Sequence, residues 1–103
     1  MPRVVKKIAT GTKVPVTLTT AEKELIAQET FADEAYVKRL KRTPNGRWQG
    51  GFTLDDLDDL TGFIAASANH ANDKKLGKKL DALWDRLTKV MNSYDDGGWG
   101  RPE

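Results

Sequence analysis

The sequence predicts a mostly α-helical protein with two short N-terminal helices, a small β-hairpin and a C-terminal antiparallel α-hairpin. Three observations carry that expectation. Apolar residues recur at three- and four-residue spacing through the second half of the chain, the period that gathers them on one helix face. Thr19 with Glu22, and Thr53 with Asp56, stand where helices should begin; in such a pair each side chain satisfies an orphan backbone N–H. Pro44, Asn45 and Gly46 separate two short segments, proline presetting φ and asparagine and glycine tolerating positive φ. The 103 residues suit one small domain.

Residues 1–18 read as a basic arm or an edge strand. Val14, Val16 and Leu18 alternate with Pro15 and Thr17, and a proline inside such a run restricts it to a sheet edge. A single helical domain is expected over residues 19–94. Its first helix runs from Thr20 to about Thr30, with Leu25 and Ile26 as the apolar face. Thr30 is positioned to cap a second short helix, with Asp33 and Glu34 in the first turn and Ala35, Tyr36, Val37 and Leu40 as the buried stripe. Residues 39–43 and 47–52 then form the β-hairpin, where Gly50 and Gly51 weaken the second strand or mark a bulge.

The α-hairpin is expected at residues 54–70 and 73–94. Four carboxylates (Asp55, Asp56, Asp58, Asp59) open its first helix, where the dipole favours anions. Leu54, Leu57, Leu60, Ile64 and Ala68 mark the buried face. In the second helix Leu76, Leu80, Leu83, Leu87, Val90 and Tyr94 follow a heptad seam. Trp84 and Met91 widen that seam beyond what a two-stranded coil needs. Residues 95–103, with Trp99, are expected as a flexible tail.

The net charge of +2 is a cancellation: residues 1–52 carry ten Lys/Arg and five Asp/Glu, and residues 53–103 carry seven and ten. Lys74, Lys75, Lys78 and Lys79 crowd the start of the second hairpin helix, where the dipole disfavours cations and like charges at i, i+4 repel. Within one hairpin they lie far from Asp55, Asp56, Asp58 and Asp59. Two hairpins packed head to tail would bring these clusters together as a twofold four-helix bundle. The expected homodimer buries Leu76, Leu80, Leu83, Trp84, Leu87, Val90 and Met91 at its centre. The competing reading is that both charge runs are solvated helix faces.

Composition closes several other routes. There is no cysteine, hence no disulfide framework and no cysteine-ligated metal. No apolar run approaches the ~20 residues of a membrane span, and the basic N-terminus lacks a signal-peptide core, so a soluble cytoplasmic protein is expected. The lone histidine, His70, reads as a turn residue. The 55–59 carboxylates lie on a helix rather than on the irregular loop that calcium requires. Neither a catalytic constellation nor a cofactor or small-molecule substrate is inferred. The expected function is a non-enzymatic protein–protein interaction module of adaptor, regulatory or inhibitor type. The alternative is nucleic-acid binding through Lys6, Lys7, Lys38, Arg39, Lys41, Arg42 and Arg47, with Trp48 stacking on a base.

Overall fold

The computed structural model describes residues 6–95. In chain order its elements are β1 (Lys6–Lys7), β2 (Val14–Leu18), α1 (Thr20–Glu29), α2 (Glu34–Lys38), β3 (Lys41–Arg42), β4 (Trp48–Phe52), α3 (Leu54–Asn69), α4 (Lys74–Asn92) and β5 (Tyr94–Asp95). The result is a small α/β protein with four helices and an antiparallel three-stranded sheet of order β2-β4-β3. The expected hairpin is therefore only half of the sheet. β2 pairs with β4 along its whole length, from Val14 opposite Phe52 to Leu18 opposite Trp48. Residues 14–18 are thus an ordered edge strand: Val14, Val16 and Leu18 are buried, and Pro15 faces out from an edge where its missing N–H is tolerated.

Both capping boxes form. The Glu22 amide donates to Thr19 Oγ1 (3.1 Å) and the Thr19 amide to Glu22 Oε1 (2.9 Å). Thr53 and Asp56 repeat the exchange at the start of α3, at 3.0 and 3.1 Å. Thr30 departs from expectation: it closes α1, its hydroxyl donating to the Ile26 carbonyl and accepting from the Ala32 amide. Asp33 caps α2 instead, accepting from the Ala35 amide. Arg39 then ends α2, so β3 begins only at Lys41 and Leu40 packs into the core between the two elements.

Gly50 and Gly51 make no bulge, because the β2–β4 register is continuous across them. Gly50 faces the core, where a Cβ would approach Leu40 Cδ2, Phe52 Cε2 and the Arg39 carbonyl at 3.2–3.3 Å. The sheet closes over the helices there without room for a side chain. Gly46, at φ +82°, turns the β3–β4 hairpin in the left-handed region that glycine enters freely.

α3 and α4 form the antiparallel pair as expected, each slightly shorter than its sequence pattern. Ser93 ends α4, its amide donating to Val90 and its hydroxyl to Lys89. Tyr94 consequently leaves the heptad seam and enters β5, which pairs in parallel with β1: Lys6 opposite Tyr94, Lys7 opposite Asp95. Asp95 is thus strand rather than tail. Residues 96–103, including Trp99, and Val4 and Val5 of the arm lie outside the described residues. One core runs from the inner face of β2 and β4 through α1 to the α3–α4 seam, with Leu57, Ile64 and Leu80 fully enclosed. Each such side chain contributes roughly 1.5–3 kcal/mol by leaving water.

Candidate functional site

Helices α1 and α4 flank a groove of about 710 Å³. Its floor is apolar, made by Ala21, Leu25, Leu76, Ala82 and Leu83. α1 supplies an acidic wall of Glu22, Glu24 and Glu29, and α4 a basic wall of Lys75, Lys79 and Arg86. Glu22 at the start of α1 meets Arg86 late in α4, and Glu29 and Asp73 also line the groove. One end is latched. Arg86 Nε and Nη2 donate to Glu22 Oε2 and Oε1 at 2.9 and 2.7 Å, and Nη2 also donates to the Thr17 carbonyl at 2.7 Å. This two-pronged contact ties α4 to α1 and β2 and fixes the groove's width. Past the other end of α1 stands Phe31, 81% exposed on the α1–α2 connection.

The residues expected to self-associate divide into two groups. Leu80, Leu83, Leu87 and Met91 are buried inside the chain. They pack against partners that a heptad count on α4 alone does not include, so they form no dimer face. Leu76 and Val90 are half-buried, and Trp84 is 40% exposed. The electrostatic set divides similarly. Asp56 bonds Arg39, with Nη1 to Oδ2 at 2.6 Å, and Asp59 accepts from the Tyr36 hydroxyl at 3.4 Å. Asp55 and Asp58 are exposed on α3. Lys75 and Lys79 line the groove; Lys74 and Lys78 are exposed on the same helix.

Burial raises the Asp56 carboxyl, but hydrogen bonds from Arg39 and Thr53 and the Arg39 charge outweigh it, leaving its pKa below the usual value. The neighbouring Tyr36 hydroxyl is pushed up by burial and by the charges of Asp59 and Asp56. The Arg39 guanidinium also lies 5.3 Å from the Tyr36 ring and 5.5 Å from the Phe52 ring. Arg39 is therefore a clamp between α2, β4 and α3 rather than a free phosphate ligand.

Trp48 is likewise not a base-stacking platform. It sits on the same sheet face as Phe52 and Gly50, its indole N–H donates to Thr20 Oγ1 (3.1 Å), and Lys23 Nζ covers its ring at 4.2 Å. Lys38 pairs with Glu34 at 3.2 Å. Lys6, Lys7, Lys41, Arg42 and Arg47 are exposed. His70 ends α3, its amide donating to the Ala66 carbonyl. Among the described residues no cluster of three or more His, Asp or Glu is placed to hold a metal ion, and no helix is long and apolar enough to cross a membrane.

The acidic wall of α1 is not legible in the sequence, which marks Leu25 and Ile26 as the apolar face of that helix and Glu22 only as a capping-box partner. Glu22, Glu24 and Glu29 acquire meaning only when α4 lies beside them, and the Glu22–Arg86 contact spans 64 positions. No family model matches this chain, and neither a curated protein nor a solved structure matches it.

Proposed function

We propose that this protein is a small non-enzymatic interaction module that self-associates through the face formed by α1 and α4. The observation that carries the reading is the groove: an apolar floor between one acidic and one basic helix wall. Such a face is complementary to itself. A twofold axis parallel to the groove sets each α1 against the partner's α4, opposing acid to base on both sides. An axis across the groove would oppose like walls. Twofold interfaces are built from one self-complementary patch, and like charges placed opposite each other across an interface cost several kcal/mol. This arrangement replaces the head-to-tail hairpin pairing, because most of the α4 seam is used within the chain.

Sedimentation equilibrium tests the reading. The expected result at high micromolar concentration is twice the 11.5 kDa chain mass. Leu76→Arg should give a monomer with the wild-type helical circular dichroism. Because Leu76 is half-buried, the surface pair Lys75→Glu with Lys79→Glu provides a second variant with the same expected outcome. A wild-type monomer throughout this range would sink the proposal.

A further inference from the structure

All five carboxylates of the first 52 residues lie on α1, on α2 or at the cap of α2. The sheet's outer face carries cations instead. Thr17, Gln49 and Lys41 stand side by side across β2, β4 and β3, on the face opposite the buried Val16 and Leu18. Arg47, one residue before the inward Trp48, falls on the same side. Lys13 completes the row, its stem lying over Gly51, where a Cβ would sit 3.2 Å from Lys13 Cβ. Lys13, Lys41 and Arg47 are exposed, and among the described residues none of them forms an ion pair. From the level of Gly51 to that of Arg47 the row covers four strand residues, about 13 Å.

We propose that this outer face binds the phosphate backbone of a single-stranded nucleic acid. The cations supply backbone neutralisation, the sequence-independent source of affinity for such ligands. Beside them the hairpin turn rises to make a recess of about 360 Å³ lined by Thr17, Thr43, Pro44, Asn45 and Gln49. Thr43 Oγ1 and Asn45 Oδ1 bond within the turn, while the Thr17 hydroxyl and the Gln49 amide can both donate and accept hydrogen bonds, which suits the polar edge of an unstacked base. A recess receives its ligand, whereas reading a duplex groove takes a protruding helix or ribbon. A membrane surface fits less well: among the described residues the large exposed apolar side chains, Phe31, Phe63 and Trp84, lie off the sheet and offer this face no apolar anchor. The face is distinct from the α1–α4 groove, so the proposal stands independently of self-association.

Fluorescence anisotropy with a labelled 15-nucleotide oligothymidylate tests it. Three neutralised phosphates imply a slope of log K on log salt near −2, about a 20-fold affinity loss from 50 to 200 mM salt. Lys13→Gln with Lys41→Gln and Arg47→Gln should weaken binding at least tenfold at 50 mM salt and flatten that slope, with unchanged melting temperature. The equally charged control Lys74→Gln, Lys78→Gln and Lys89→Gln should bind as wild type. An equal loss in the control would reduce the effect to net charge and overturn the proposal. So would a duplex of the same length binding as tightly, phosphatidylserine vesicles being bound when the oligonucleotide is not, or no binding at 50 mM salt.

Discussion

The Arg39–Asp56 pair concentrates the residue-scale electrostatics. Its carboxylate accepts from Arg39 at 2.6 Å and from the Thr53 amide at 3.1 Å, and its pKa is lowered despite partial burial. A carboxylate with a depressed folded pKa contributes stability above its unfolded value, roughly 3.9, and that contribution disappears as pH falls through the folded pKa. Asp56→Asn should therefore cost about 1–2 kcal/mol at neutral pH by removing the charge from the hydrogen bond. It should also flatten the loss of stability below about pH 4, as urea melts across pH 2.5–7 would reveal; parallel acid profiles would refute this assignment. Ser67 makes the opposite case. Its buried hydroxyl has no hydrogen-bond partner among the described residues, so Ser67→Ala should stabilise the protein by about 0.5–1.5 kcal/mol. The sequence shows Arg39 in a basic run and Asp56 in an acidic one. Their pairing across 17 positions depends on how α2 docks against α3, which no local pattern encodes.

At the scale of elements, legibility follows the range of the signal. The two capping boxes, the Pro44–Gly46 turn and the α3–α4 periodicity are local and appear where the sequence placed them. β1, β3 and β5 have two residues each, too few for any period to register, and β2 is recognised as an ordered strand only once β4 pairs with it. The α4 seam was legible as a seam, but not for what covers it, because one helix's apolar stripe cannot distinguish an internal neighbour from a second copy. This difference predicts unequal costs for adjacent residues. Leu83→Ala, removing a buried side chain, should cost about 2–5 kcal/mol through the cavity it leaves. Trp84→Ala, truncating a side chain that is 40% exposed, should cost less, about 1–3 kcal/mol, because solvent fills the space the indole leaves and no enclosed cavity forms. Chemical denaturation of the two variants measures both; equal losses would mean that Trp84 is held far more firmly than its exposure implies.

At the scale of the whole molecule, charge is sorted by surface rather than by sequence half. The basic first half contributes both a cationic sheet face and the acidic α1, while the acidic second half contributes the basic wall of α4. A halfwise count of +5 and −3 therefore does not locate the charged surfaces. The proposed dimer geometry makes a stronger demand than self-association alone. If each α1 faces the partner's α4, reversing the acidic wall (Glu24→Lys with Glu29→Lys) sets cation against cation on both sides of the dimer. Reversing the basic wall (Lys75→Glu with Lys79→Glu) sets anion against anion. Each variant alone should sediment as a monomer, at an affinity at least tenfold below wild type. Mixed in equal amounts, they should form a heterodimer, since each reversed wall then meets its opposite. That heterodimer should also weaken with salt, because these exposed charges are screened over about 10 Å at 0.1 M ionic strength. A dimer whose axis crosses the groove sets α1 on α1 and α4 on α4. In that geometry a reversed wall still meets its own kind, as in the wild type, so single variants that dimerise like the wild type would make the self-complementary arrangement wrong even if the protein proved dimeric.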